Sequence, residues 1–194
     1  MGQGEARSSV SRAALRDRLP ASEDLRLVFG WCAFLIHAWA LFNLLDVLPS
    51  WILRLGIYEL AGTIAYPLAF ALLESLLVWA IVTLAAVLLP ANWLKVNFAV
   101  QASLLVLITA LWSVVIHINY EAFLQYRKYF VAFASIYLLT LLLPHLLIQR
   151  YSKAKRGKKF MAAMRSVLQR IEVLSFLYIF FDILGVLIIL IRNF

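Results

Sequence analysis

Apolar residues run nearly unbroken for about twenty positions at a time, five times along the chain, and polar residues gather in the gaps between the runs. At a rise of about 1.5 Å per residue, twenty helical residues cross roughly 30 Å of hydrocarbon. The runs predict membrane-spanning helices over 27–48, 66–89, 96–119, 129–148 and 173–191. They do not alternate apolar with polar residues over segments of about ten positions, as the strands of a membrane barrel would. The expected fold class is an all-α integral membrane protein, a polytopic bundle of about five transmembrane helices. Residues 1–24 read as a polar, mobile tail without the apolar core of a cleavable signal, and 25–194 as a single transmembrane helical domain. The stretch 51–65 is too apolar for a plain loop. It predicts an interfacial segment with Trp51, Tyr58 and Tyr66 at headgroup depth. Pro67 is expected in the first turn of the second span, where its missing N–H does no harm.

Composition sharpens this picture. Hydrophobic residues make up 64% of the chain and charged ones 14%, against roughly 45–50% and about 25% in soluble domains. The apolar excess belongs against lipid. A net charge of +8 raises the question of nucleic acid, but the basic residues crowd beside the spans and no soluble domain remains to grip a polynucleotide. No nucleic-acid partner is expected. The single cysteine, Cys32, excludes an internal disulfide and any CxxC motif. Neither HExxH, GxSxG nor a P-loop occurs, so no cofactor and no metal are expected, and the reading leans away from an enzyme.

The basic residues also orient the chain. With five spans, an N-terminus inside places 14 of the 18 Lys and Arg residues on the inner side, from Arg7–Arg26, Lys95 and the 150–170 loop. Only Arg54, Arg127, Lys128 and Arg192 fall outside. The positive-inside rule then predicts a cytoplasmic N-terminus and an outer C-terminus, and the expected location is the plasma (inner) membrane. Within 150–171, Phe160, Met164, Val167, Leu168 and Ile171 recur at helical spacing. An amphipathic helix on the membrane surface is expected, with Lys153, Lys155, Arg156, Lys158, Lys159 and Arg165 contacting anionic lipid. Its basic character also serves as a topology determinant, which needs no ligand at all.

The polar groups inside the spans carry the candidate chemistry. On the fifth span Glu172, Ser175, Tyr178, Asp182, Gly185, Ile189 and Arg192 share one helical face. A lipid-facing carboxylate at mid-membrane costs about 2.5–3.5 kcal/mol, so this stripe is expected to face protein. Counted from the inner span ends, Asp182 lies about 14 Å deep and His37 about 15 Å, which pairs them. Glu74, about 22 Å up, is expected at the level of Asn43 and Ser113. His37, Asn43, Glu74, Ser113 and Asp182 form the predicted intramembrane cluster. Asp46, Arg54, Glu59, His117 and Glu121 form a predicted outer polar rim. Trp79, Trp112 and Tyr137 are candidates to line an aromatic cavity.

Read structurally, the cluster is hydrogen-bonding glue that orients five helices; read functionally, it lines a wet cavity. The favoured function is an accessory or binding subunit for lipid, a small ligand or a partner protein, alone or as a homo-oligomer. The alternatives are an ion- or proton-coupled transporter or channel working as an oligomer, and an intramembrane acid–base enzyme acting on a lipid-like substrate.

Overall fold

The computed structural model describes residues 19–89, 94, 97–151 and 154–193, and contains no strand among them. Among the described residues seven helices follow in order: α1 Ser22–Ile52, α2 Ile57–Leu88, α3 Phe98–Ile118, α4 Tyr120–Gln125, α5 Arg127–Thr140, α6 Leu143–Tyr151 and α7 Lys155–Asn193. Taking α5 and α6 as one near-continuous segment, five helical segments are long and apolar enough to cross a membrane. Ser22, Leu88, Phe98 and Lys155 mark one end of the bundle, here the basic end; Ile52, Ile57, Ile118 and Asn193 mark the far end. The predicted tail falls largely outside the described residues, as does Lys153, and Ser22–Asp24 already belong to α1.

Three boundaries differ from the sequence expectation, each for a local reason. The segment 51–65 is not a separate interfacial helix. The chain turns at residues 53–56 and α2 starts at Ile57, where the Glu59 carboxylate accepts a bond from the Gly56 N–H at 3.4 Å. Pro67 therefore lies well inside α2 rather than in its first turn; it forfeits one backbone hydrogen bond, a loss that apolar membrane helices tolerate. The fourth span is split at Leu141–Leu142, because the ring of Pro144 is accommodated at the start of a helix but not within one. Conversely, the basic amphipathic segment and the fifth span form one helix of 39 residues, with no proline to break it.

Helices α1, α2 and α7 pack against one another as the central trio, and α3 joins α1 along its first half only. The buried residues of α3 all lie between Phe98 and Val106; beyond them the helix leaves the core. Near the basic end, Leu27, Val28, Trp31, Ala86, Phe98, Ala102 and Leu168 make the main apolar core. Trp31 Nε1 donates to the Ser103 carbonyl and Trp79 Nε1 to the Leu25 carbonyl, both at 2.9 Å, tying α1 to α3 and to α2. Arg26 pairs with Glu172, and Arg165 with Glu23 and Asp24 at 3.0 Å each, clamping the start of α1 to α7. Two glycines allow the backbones to meet. A Cβ on Gly30 would lie 3.1 Å from Glu172 Cα, and one on Gly185 would lie 3.2 Å from the Ala65 carbonyl oxygen. α5 reaches the bundle through side chains: Trp112 meets Phe133 edge-on at 4.8 Å and donates to Thr140 Oγ1 at 2.9 Å. The outward surface is rich in exposed Leu, Ile and Phe, as a membrane bundle requires.

Candidate functional site

The polar stripe of α7 turns toward α1 and α2. Glu172 meets Arg26, Ser175 is buried, Gly185 touches Ala65, and the Arg192 side chain lies against Gly62. At the centre, His37 Nε2 stands 2.9 Å from Asp182 Oδ1 and 3.1 Å from Oδ2. Tyr178, one turn before Asp182, stacks on the imidazole with ring centroids 4.9 Å apart and planes 16° from parallel. His37 is 1% exposed and Asp182 0%, so the pair sits in solid protein.

The hydrogen positions follow from the partners. His37 Nδ1 lies 2.8 Å from the Ala33 carbonyl oxygen. That oxygen only accepts, so Nδ1 carries a hydrogen. Nε2 then either donates to a carboxylate as part of an imidazolium or accepts from a protonated carboxyl. In both cases one proton lies between the two side chains and the pair is net neutral. A neutral, fully bonded pair is the form in which ionisable groups suit an apolar interior.

The other three members of the predicted cluster do not join it. Asn43 donates to the Trp39 carbonyl of its own helix, and Ser113 to that of Thr109; both are exposed. Glu74 is exposed too, between exposed Phe70, Leu73 and Leu77. Its depth also differs from expectation. From the Gly185–Ala65 contact, Glu74 lies nine residues toward the basic end along α2 and Asp182 three residues along α7. Glu74 is thus about 9 Å nearer the basic end than Asp182. Asn43 is six residues on the far side of His37, so the two are well separated. Among the described residues Glu74 has no ion-pair or hydrogen-bond partner.

At the far end, Asp46, Arg54, Glu59, His117 and Glu121 are all exposed, and among the described residues no ion pair joins any two of them. Glu59 caps α2, and His117 receives the Trp39 ring edge-on at 5.3 Å. Among the described residues no group of three His, Cys, Asp or Glu is placed to hold a metal ion. Trp79, Trp112 and Tyr137 serve as packing and hydrogen-bonding links between helices, Tyr137 through its hydroxyl to Thr109 at 3.2 Å. On the basic arm of α7, Lys155, Arg156, Lys158 and Lys159 are exposed, while Arg165 is part-buried in its ion pairs.

Some buried polar groups lie outside the sequence expectation: Ser75 is 0% exposed and donates to the Ala71 carbonyl of its own helix, and Thr83 Oγ1 is buried without a hydrogen-bond partner among the described residues. Gln101 and Ser103 are 2% and 0% exposed against the bundle core, and Gln101 Oε1 and Ser103 Oγ have no hydrogen-bond partner among the described residues. The only signal was two polar positions within the apolar run of α3, which periodicity alone assigns to no face. Two cavities open at the basic end. One, about 370 Å³, lies between the start of α3 and α7, lined by Asn97, Val100, Lys158, Met161 and Arg165. The other, about 330 Å³, is bounded by Leu104 of α3, Leu147 and Ile148 of α6, and Arg156, Phe160 and Met161 of α7. Neither includes His37 or Asp182.

The chain matches no family model, no curated protein and no solved structure.

Proposed function

We propose that this protein is an accessory, multi-pass membrane subunit whose partner helix lies on the α2 face around Glu74. The observation that carries the reading is the exposure of that carboxylate. α2 has 32 residues, and Glu74 stands about 25 Å from its start and about 21 Å from its end. At that position a bare carboxylate facing hydrocarbon costs about 2.5–3.5 kcal/mol. A neighbouring helix that offers a hydrogen-bond donor or a cation at the same depth removes the cost. The enclosed His37–Asp182 pair supports a structural rather than a catalytic role for the polar cluster, because it leaves no room for substrate.

The transporter reading draws on the same residue, since a lipid-facing carboxylate that takes up a proton is a carrier site. The two readings part in a mild-detergent extraction. An accessory subunit migrates as a defined complex larger than 22.1 kDa. Glu74→Leu weakens that complex by about tenfold or more, and Glu74→Gln, which keeps a hydrogen bond, weakens it less. A wild-type chain that migrates alone, and whose proton flux in proteoliposomes vanishes in Glu74→Gln, would overturn the proposal in favour of the carrier.

In this reading the basic end faces the cytoplasm and the membrane is the plasma (inner) membrane. A cysteine placed at Lys158 is expected to react with an impermeant reagent only from inside, and one at Lys128 only from outside. Reaction of both from one face would refute the five-span arrangement.

A further inference from the structure

We propose that the cleft between α3, α6 and α7 is a binding site for one anionic phospholipid, its acyl chain against Leu104, Leu147, Ile148 and Phe160 and its phosphate at Arg156. The inference rests on the reading of the chain as a membrane bundle. The cleft, about 330 Å³, has walls that are apolar apart from a single charged group, Arg156. That guanidinium has no acidic partner among the described residues, and its planar fork matches a phosphate. Leu104 stands six residues beyond Phe98, about 9 Å from the basic end of α3, so the cleft runs from the level of a headgroup into the apolar zone. Charge on one rim and hydrocarbon behind it is the layout of a phospholipid and not of a free phosphate.

The surrounding charge favours an anion. Between Lys155 and Ile171 the arm carries no acidic residue, and Arg165, the one arm cation with an acidic partner among the described residues, is held by Glu23 and Asp24. Lys158 lines the neighbouring 370 Å³ groove across Met161, within the same field. Diffuse attraction to the arm would not discriminate among its cations. A built site does, because only Arg156 stands at the mouth of the apolar cleft.

The test uses the full chain in detergent, with lipid retention read by native mass spectrometry. The probes are phosphatidylglycerol, phosphatidylcholine of the same acyl chains, and glycerol 3-phosphate. One phosphatidylglycerol per chain is expected to be retained, with no competition from glycerol 3-phosphate. Leu147→Trp keeps every charge and fills the cleft, and is expected to lower retention about tenfold. Leu104→Phe is the second cleft-filling variant, should Leu147→Trp unfold. Arg156→Gln is expected to remove most of the preference over phosphatidylcholine, whereas the double change Lys155→Gln, Lys159→Gln leaves it in place. Undiminished retention in a folded cleft-filling variant would overturn the site. So would equal losses from Arg156→Gln and from the Lys155, Lys159 pair. A chain that stays soluble without detergent and retains no lipid of either kind would instead sink the membrane reading itself.

Discussion

Asp182→Leu is expected to destabilise the bundle by about 1–3 kcal/mol, because it strands the buried His37 imidazole without a partner for Nε2. Removing the carboxyl forces His37 to hold its remaining polar nitrogen against hydrocarbon or to break the Tyr178 stack and reorient. Asp182→Asn is expected to be mild, since the amide fills the same space and still offers one hydrogen bond. His37→Ala should cost a similar amount for the mirrored reason, leaving Asp182 Oδ1 and Oδ2 unbonded. Unfolding of the single variants and of the double variant His37→Ala, Asp182→Ala in detergent gives the coupling directly. Losses that add within about 0.5 kcal/mol would mean the two side chains do not interact.

Gly30→Leu is the second large effect. A Cβ at this position would already lie 3.1 Å from the Cα of Glu172, so the obstacle is backbone and cannot swing aside. α1 and α7 would have to separate along the face that carries both the Arg26–Glu172 pair and, two turns on, His37 and Asp182. Overpacking of this kind costs about 1–3 kcal/mol, and here the upper end is expected. Ala80→Leu on the exposed side of α2 is the control, with a change within about 0.5 kcal/mol. Equal thermal stability of the Gly30 variant and the wild type would contradict the close α1–α7 contact.

What the sequence disclosed follows from how strongly the bilayer constrains it. Helical spacing alone put Glu172, Ser175, Tyr178, Asp182 and Gly185 on one face of α7, and that face meets α1 and α2. Depth counting brought His37 to Asp182 because both lie in helices that run in the same direction from the same end, so errors in the span ends cancel. For Glu74 they did not cancel. α2 runs the opposite way and its inner end, Leu88, lies within one residue of the expected 89, whereas α1 begins at Ser22 rather than 27 and α7 runs unbroken through 173, so the shared shift of α1 and α7 displaces His37 and Asp182 but not Glu74. The further premise that a carboxylate turns inward also failed within a single chain, since nothing in α2 itself reveals that the neighbour for its Phe70–Glu74–Leu77 face is missing. Gln101 and Ser103 were illegible for a related reason: their burial is decided by where α3 leaves the core, beyond Val106, and no local pattern marks that point.

The central claim is that the α2 face around Glu74 is covered by a partner in the membrane. A hydrophobic carbodiimide tests it most directly, since it modifies protonated carboxyl groups that face lipid and cannot reach one sealed between helices. The account predicts that Glu74 is unmodified in native membranes and becomes modified once detergent has separated the chain from its partner, while buried Asp182 stays unmodified in both. Modification of Glu74 in native membranes, to the same extent as in the separated chain, would contradict it.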